Sequence, residues 1–377
     1  MSEVKQQAPW RFVQGADSYA DFSISVSPAV ERAVAEGVVP PTVYLNIFSE
    51  DSVTIGVTED PNQVLDLAFC RGNGVQTRRR ESSGGAIYAA RGSAFLCFYV
   101  PMSLPGIPQT AAEAFPRVLG HVAEAIADVF GLKAAYRPLN DIEIDGRKLV
   151  ATSLKLENGV MTFRILLNVK AIDTNIAARA LPMAPEKVKD KKHKDLGSRY
   201  TYLDREVGRE VSGADLAEWV RASAQRAFGA TLLEAGGLGE EEARFATEYA
   251  RELTSDLWFF ERSEASRYGA VQQDGDVIVR GREKAPAGLI WLSLLVRDDR
   301  IVQAIVNGDW HPRPLRSVGW LEEGFRTLPA TREACRKHIE TFLAREDVEY
   351  AGVAPDHLVA AVDKALAELA ASGEQTV

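Results

Sequence analysis

Residues 140–169, NDIEIDGRKLVATSLKLENGVMTFRILLNV, constrain the fold more than any other stretch of this chain. Two turn signals, Asp145-Gly146 and Asn158-Gly159, divide the segment into three short runs rich in apolar residues. Asp-Gly and Asn-Gly between such runs are typical of tight β-hairpins, because both residues tolerate a left-handed backbone. The segment therefore predicts three consecutive antiparallel strands, a β-meander.

Strands and helices are indicated on either side of this meander. Apolar and β-branched residues predict strands within 40–57 and in 93–102. A helical period over 109–130 and another over 212–228 predict two long helices. This mixture predicts an α/β (α+β) fold, a mixed sheet flanked by helices, for a first domain that spans 1–235.

A glycine-rich stretch, GGLG at 236–239, is the best candidate for a domain boundary. Beyond it, residues 240–377 predict a small α+β accessory domain. Its expected elements are a helix at 240–252, strands at 277–280, 289–296 and 301–307, and helices at 315–327, 331–344 and 355–371.

The bulk composition argues against several classes of protein. The formal net charge is −9, opposite in sign to the footprint of a nucleic-acid-binding protein. No apolar run reaches the roughly 18–20 residues of a spanning helix, and the N-terminus lacks the apolar core of a signal peptide. Cys70, Cys97 and Cys335 stand singly, which indicates neither a zinc site nor a disulfide framework. We expect a cytoplasmic protein without a nucleic-acid or membrane partner.

The stretch RRRESSGGAIYAARG, from Arg78 to Gly92, gathers positive charge beside two glycines. Gly84 and Gly85 allow a ligand to approach the backbone, whose successive N–H groups can form an anion-binding nest. The three arginines can add forked donors that suit phosphate or carboxylate. A solvated strand edge with a tight turn explains the same residues, so both interpretations stay open.

The start of the meander places a lysine near two polar residues. Lys148 follows the first hairpin turn, and Asn140 and Asp141 precede the first strand. A lysine in this position can hold a carboxylate and a phosphate together while an acyl phosphate forms. Asp141 can orient that lysine or bind Mg²⁺. An ordinary exposed hairpin has the same residues, and that interpretation also stays open.

A lysine-rich run follows the meander, with five lysines between Lys187 and Lys194. Runs of like charge are commonly solvated loops. The functional interpretation is a lid that orders over a polyphosphate ligand.

The order of these motifs is more specific than any one of them. R-R-x-S-x-G-G-A-I precedes N-D-I, D-G-R-K-L, and an N-G turn before a strand that ends in L-L-N, and a lysine-rich segment with S-R follows. SPAVERAV near the N-terminus, and GDW at 308–310 followed by LEEGFRTLP, extend the match to about 10–371. The chain thus resembles the lipoate–protein ligases of the biotin/lipoyl ligase superfamily, including the accessory domain of the bacterial type.

This resemblance implies a concrete activity. Lipoate–protein ligases activate lipoate with MgATP as an acyl-adenylate, and then pass the acyl group to a lysine of a lipoyl-domain carrier protein. Lys148 matches the family's active-site lysine, with Asp141 beside it as orienting residue or magnesium ligand. The implied ATP- and acyl-adenylate-binding residues are Arg79, Arg80, Ser82, Ser83, Gly84, Gly85, Ala86, Asn140, Lys187, Lys194, Ser198 and Arg199.

Departures from the family pattern concentrate where the acyl group is expected to lie. Ser83 replaces a third glycine, and Ala89 and Ala90 replace a His-Asp pair. VATS at 150–153 and TFRI at 162–165 replace S-G-S-A and H-H-G-T. The resemblance implies an acyl pocket formed by Ile47, Tyr88, Ala89, Thr152 and Arg164, with the arginine as counter-charge for a more polar acyl group. This pattern fits a paralogue that activates another small acid or serves another carrier.

Two further interpretations stay open. The superfamily's octanoyltransferases transfer an acyl group without ATP and need a cysteine nucleophile. Residues 98–334 contain no cysteine, and Cys97 is expected to be a core strand residue. A non-catalytic module that binds an acyl-nucleotide or a carrier also fits the altered pocket, whereas Lys148 and Arg79 favour catalysis.

Overall fold

The computed structural model describes residues 9–138, 140–182 and 200–374. The strands of its first part are β1 (Trp10–Gly15), β2 (Thr42–Ile47), β3 (Ser52–Ile55), β4 (Gln76–Arg79), β5 (Ile87–Ala89), β6 (Ala94–Pro101), β7 (Ala135–Arg137), β8 (Asp141–Ile144), β9 (Arg147–Glu157), β10 (Val160–Leu167) and β11 (Leu232–Glu234). The helices are α1 (Tyr19–Asp21), α2 (Ser27–Ala35), α3 (Pro61–Val64), α4 (Leu67–Gly72), α5 (Ala111–Phe130), α6 (Thr174–Ala180), α7 (Leu203–Val207) and α8 (Gly213–Phe228), with a π-helical turn, Phe22–Val26, between α1 and α2.

Eight of these strands form one mixed sheet in the order β11-β1-β2-β6-β10-β9-β8-β7. β1 runs parallel to β2 and β11, and the other neighbours are antiparallel. The predicted meander is confirmed as β8, β9 and β10. Asp145 and Asn158 hold φ angles of 49° and 53° in its two turns, which is the left-handed conformation that the turn signals imply. The mixed sheet flanked by helices is therefore the fold of this part of the chain.

The two long helices cover one face of this sheet. Both begin where the sequence indicates a cap, since Thr110 and Ser212 accept hydrogen bonds from the backbone N–H groups of Glu113 and Asp215. Their apolar sides pack on alternate residues of the strands, including Phe98. Because strand side chains alternate between faces, the remaining strand residues point to the opposite face, on which α2 lies.

The arginine stretch belongs to a second, smaller sheet. Its strand order is β4-β3-β5, with β3 parallel to β4 and antiparallel to β5. The two strands that were predicted within 40–57 exist as β2 and β3, but they join different sheets. The chain therefore crosses from the large sheet to the small one between Ile47 and Ser52.

The C-terminal part is a three-stranded antiparallel sheet covered by helices. Its elements are α9 (Glu240–Leu253), α10 (Asp256–Phe259), α11 (Glu264–Tyr268), β12 (Val277–Ala285), β13 (Gly288–Arg297), β14 (Arg300–Gly308), β15 (Pro312–Arg313), α12 (Ser317–Gly324), α13 (Arg332–Leu343), β16 (Glu349–Tyr350) and α14 (Pro355–Glu374). Each predicted helix and strand of this part is present, and β12 extends further than predicted. The division into domains at 1–235 and 240–377 stays a prediction. None of the helices among the described residues has the length and apolar character needed to cross a bilayer.

Candidate functional site

The face of the large sheet opposite α5 and α8 carries charged side chains along β8, β9 and β10. Register places Lys148 opposite Glu143, and Arg164 opposite Ser153. Directly opposed residues project to the same face, whereas Phe163 and its alternates point into the core beneath α5 and α8. The pairing of β8 with β9 shifts between Ile142 and Glu143, so that Leu149 and Val150 both point into the core and the alternation along β9 is reversed. The lysine of the predicted site therefore shares a face with Arg164.

Lys148 and Asp141 meet on this face. The Nζ atom of Lys148 lies 2.6 Å from Oδ1 of Asp141, and their side chains are 27% and 22% exposed. The carboxylate holds the ammonium in one position without burying it. An ammonium fixed in this way can contact an anionic ligand that approaches from solvent. The structure therefore brings together the two residues that the sequence placed at the catalytic centre.

Asn140 braces the same corner of the sheet. Its Nδ2 donates to the carbonyl of Thr152 over 2.9 Å, and Oγ1 of Thr152 donates back to the Asn140 carbonyl over 2.6 Å. This reciprocal pair ties the residue before β8 to β9 and so fixes where Asp141 begins. Both side-chain groups are engaged within the protein.

The chain returns to Lys148 after the lysine-rich segment. Tyr200 forms a β-bridge with Lys148, and the N–H of Thr201 donates to the Lys148 carbonyl over 2.9 Å. The predicted adenylate-loop residues Lys187, Lys194, Ser198 and Arg199 lie outside the described residues. Their roles stay predictions.

Arg80 organises the glycine turn from within. Its buried guanidinium donates through Nη2 to the carbonyls of Ser83, Gly84 and Gly85, each over 3.0 Å, and through Nε to Oγ of Ser82 over 3.0 Å. Gly84 has a φ of 92°, which side-chain-bearing residues rarely adopt. The arginine thus stabilises a turn that needs glycine at this position, and its donors point at carbonyl oxygens of the chain.

Arg79 joins the two parts of the chain. It is 1% exposed and donates through Nη1 to the Trp258 carbonyl and to Glu261, both over 2.7 Å. Its guanidinium also lies over the Trp258 ring, 4.6 Å from the centroid. Arg78, by contrast, makes a half-exposed ion pair of 2.9 Å with Asp21. In this conformation the three arginines bind separate partners. Their guanidinium groups therefore do not form an open cluster of cations.

The GDW motif of the C-terminal part lies against the glycine turn. His311 Nδ1 and Ser83 Oγ share a hydrogen bond of 2.8 Å. A Cβ placed on Gly85 would stand 3.2 Å from the Cβ of Asp309. Burial and the nearby Arg80 lower the pKa of His311, so the imidazole is neutral at pH 7. No local sequence pattern marks His311 or Glu261, which reach the turn only through the tertiary fold.

The five residues of the expected acyl pocket do not line one cavity. Ile47 packs with the core beneath α5 and α8, and Thr152 lies opposite Ile165 on that same side. Ala89 belongs to the core on the α2 side, where Arg164 also projects. Tyr88 points into a third core, beneath the small sheet. Alternation along β2 and β9 turns two of the five residues away from the Lys148 face. Their role in acyl binding stays a prediction.

The three thiols of the chain are buried. Burial raises the pKa of Cys97 to about 12 and that of Cys335 to about 11, and it also raises the pKa of Cys70. Cys97 faces the same side as Arg164, its register partner, yet it has no exposed surface. A thiol with such a pKa is not a nucleophile near pH 7. Within the described part of the chain, no three His, Cys, Asp or Glu side chains converge on a possible metal position.

Comparisons with known proteins identify relatives of this chain. Residues 22–225 match the family model described as the lipoyl protein ligase A/B catalytic domain. The octanoyltransferase LipM of Kyrpidia tusciae is 24% identical over 276 residues, which cover 67% of this chain and 99% of that protein. The lipoate-protein ligase LplJ of Bacillus subtilis is 24% identical over 176 residues, 46% of this chain and 51% of that protein.

Solved structures share the fold. LipL1 of P. falciparum in complex with lipoate has a TM-score of 0.63 at 13% identity and covers 91% of this chain and 96% of its own. A lipoate-protein ligase A bound with ATP has a TM-score of 0.55 at 17% identity, covering 67% and 98%. At these identities the likeness concerns the fold.

Proposed function

Because the chain belongs to the lipoyl protein ligase A/B catalytic domain family, whose relatives include lipoate ligases and octanoyltransferases, we propose that it is an ATP-dependent acyl ligase. It activates lipoate, or a related short carboxylic acid, as an acyl-adenylate, and transfers the acyl group to a lysine of a lipoyl-domain carrier. The observation that carries this proposal is the Lys148–Asp141 pair on a sheet face that offers no reactive thiol.

The chemistry follows from a fixed cation. A carboxylate oxygen of the acid attacks the α-phosphorus of ATP, and pyrophosphate leaves. The ammonium of Lys148, held by Asp141, then lies where negative charge builds on the phosphate and the acyl carbonyl. The deprotonated amine of the carrier lysine next attacks the carbonyl, and AMP leaves. The protein supplies orientation and electrostatic stabilisation in both steps.

Magnesium fits this site only together with the nucleotide. Mg²⁺ is commonly held by one or two carboxylates and by substrate phosphates. Among the described residues the site offers it one carboxylate, Asp141, which is already paired with Lys148. The ion would therefore neutralise the phosphates of ATP, and Asp141 would act first as the residue that positions the lysine.

The second candidate is acyl transfer without ATP, which the likeness to the octanoyltransferase LipM favours. That reaction needs a thiolate to carry the acyl group. Cys97 is the thiol that faces the site, and burial keeps it protonated and inaccessible. Because Cys97 is not reactive, thiol-based transfer is disfavoured, and activation by ATP is the better-supported reaction.

Acid-dependent ATP–pyrophosphate exchange tests the proposal. The purified full chain is assayed with lipoate, octanoate and several small polar acids. Exchange that depends on one of these acids supports the ligase. Nucleotide or acid binding without exchange would instead establish a non-catalytic binding module, and octanoyl transfer from an acyl-carrier donor without ATP would establish the transferase.

Alkylation of the cysteines distinguishes the ATP-dependent ligase from the thiol-dependent transferase without any substitution. Iodoacetamide reacts with thiolates, and burial raises the pKa of Cys70, Cys97 and Cys335 alike. We expect the folded protein to retain its acid-dependent exchange after treatment at pH 7.5, with modification followed by mass spectrometry. Loss of activity in step with alkylation of one cysteine would contradict the ligase and support thiol-based transfer. Unfolded protein, in which all three thiols react, serves as the labelling control.

A further inference from the structure

A second carboxylate lies beside Lys148 on the same face of the large sheet. Register places Glu143 of β8 directly opposite Lys148 of β9. Ile142 and Ile144 are buried in the core beneath α5 and α8, so Glu143 projects to the opposite face, as Asp141 does. The Cβ atoms of directly opposed residues are about 4.5–5.5 Å apart. The Glu143 carboxylate therefore lies next to the lysine of the candidate site.

The cation that pairs with Glu143 is Arg137 of β7. Nη1 of Arg137 donates to Oε1 of Glu143. The side chain of Arg137 is 63% exposed, whereas that of Glu143 is 16% exposed. Among the residues that the structure describes, none donates a hydrogen bond to Oε2 of Glu143. The carboxylate thus keeps one acceptor atom for a further donor, and its present partner lies mainly in solvent.

The partner of Glu143 belongs to the edge of the large sheet. β7 is the last strand in the order of that sheet, and both of its end residues, Ala135 and Arg137, are exposed. An exposed ion pair contributes little to stability, because water solvates both charges when the pair opens. A cation of another molecule that arrives at this edge can therefore replace Arg137 at Glu143 with little loss of stability.

The proposed transfer step needs a place for the amine of the carrier lysine. With a pKa of about 10.4, a lysine side chain reaches the enzyme near pH 7 as an ammonium. The charge of Lys148 repels this cation, and a carboxylate close to the acyl group attracts it. Asp141 already lies 2.6 Å from Lys148, and Glu31, which contacts the same face through Arg164, is only 5% exposed. Glu143 is the carboxylate that combines nearness to Lys148 with an exchangeable partner.

We propose that Glu143 binds the lysine of the carrier protein during acyl transfer. The carrier approaches the β7 edge, its ammonium replaces the guanidinium of Arg137, and Glu143 accepts a hydrogen bond from it. After the ammonium has lost one proton to water, the same hydrogen bond keeps the amine beside the acyl carbonyl. The nitrogen bonds to the carbonyl carbon, the bond to the AMP oxygen breaks, and the nitrogen releases a second proton to water. The inference rests on the proposed ligase function and adds the residue that receives its second substrate.

The two half-reactions separate lysine binding from activation. Glu143→Gln keeps the size of the side chain and removes its charge. We expect acid-dependent ATP–pyrophosphate exchange to stay within about twofold of the wild type, and kcat/KM for a purified apo lipoyl domain to fall about tenfold or more, the value of a charge-assisted hydrogen bond. Hydroxylamine, a small amine that is mainly neutral near pH 7, should give acyl hydroxamate at the wild-type rate. Unchanged transfer to the lipoyl domain would overturn the inference while leaving the ligase intact.

Matched variants separate lysine binding from a structural role of the ion pair. Glu143→Asp keeps the charge on a shorter side chain and should recover part of the transfer. Arg137→Ala frees the carboxylate, so KM for the lipoyl domain should stay or fall. Glu234→Gln is the control, because Glu234 pairs with Arg221 at the opposite edge of the same sheet, and it should change neither half-reaction. An equal loss of transfer in Arg137→Ala and Glu143→Gln, or an equal loss of exchange and transfer in Glu143→Gln, would show a structural role and overturn the inference.

Failure of the ligase itself gives a different result. If no acid supports exchange, synthetic lipoyl-adenylate and octanoyl-adenylate are supplied directly to the protein together with the apo lipoyl domain. Protein-dependent transfer that Glu143→Gln reduces and Glu234→Gln does not supports lysine binding without activation by ATP. Absence of transfer by the wild type, or transfer that Glu143→Gln leaves unchanged, overturns the inference as well.

Discussion

Replacement of Lys148 by alanine is expected to lower kcat of acid-dependent ATP–pyrophosphate exchange by about a hundredfold or more, the usual effect of removing a preorganised group that stabilises developing charge. The ammonium lies 2.6 Å from Asp141 and is partly exposed, so it can contact ligand without rearrangement. The free energy of unfolding should also fall, by about 1–3 kcal/mol, because Oδ1 of Asp141 is buried and loses the cation that faces it. Exchange kinetics and urea denaturation measure the two effects.

Two further variants define what Lys148 does. Lys148→Arg keeps the charge but replaces a compact ammonium with a planar fork, so we expect it to recover only part of the activity. Lys133→Ala removes an exposed lysine in the loop after α5 and should behave as wild type. If Lys148→Ala retained exchange within about threefold of the wild type, the lysine would have no role in the transition state.

The meander shows what the sequence could predict. Asp145-Gly146 and Asn158-Gly159 mark two-residue turns, whose geometry sets the register of β9 against β10 and the start of the pairing of β8 with β9. The first turn places Lys148 opposite Glu143, beside the strand that Asp141 begins, and a register shift between Ile142 and Glu143, which the turn does not predict, follows. The central pair of the candidate site is thus a local consequence of turn chemistry. The long helices followed in the same way from caps and apolar periodicity.

The partners of the arginines could not be predicted in this way. Arg79 binds Glu261, which lies 182 residues further along the chain, and no periodic pattern connects them. The distribution of the expected pocket residues over several cores could not be predicted for another reason, because matching a family motif assigns a position in sequence but not a side of a strand. Ile47 follows Val43 and Leu45 on alternate positions of β2, so it points into the core beneath α5 and α8. The side to which each residue points follows from the alternation of side chains along the strand, which a motif match does not take into account.

Replacement of Arg80 by alanine is expected to destabilise the protein far more than the same change at Arg78. The Arg80 guanidinium satisfies the carbonyls of Ser83, Gly84 and Gly85 inside the turn. A buried polar group left without a partner costs about 1–3 kcal/mol, and water entering an opened turn reduces the sum. We expect the free energy of unfolding in urea to fall by about 3 kcal/mol. KM for ATP should rise at the same time if the turn cradles the nucleotide.

Arg78→Ala is the matched control, because it removes an arginine two positions earlier that pairs with the half-exposed Asp21 and donates to the carbonyl of the adjacent Thr77. Such a pair contributes about 0–1 kcal/mol, so this variant should unfold close to the wild type. Arg80→Lys keeps the charge but not the forked donor, and it should recover only part of the stability. Equal stability of the Arg78 and Arg80 variants would mean that the three carbonyls are solvated without the guanidinium. Lost stability with an unchanged KM for ATP would instead separate the turn from nucleotide binding and leave Lys148 as the main phosphate contact.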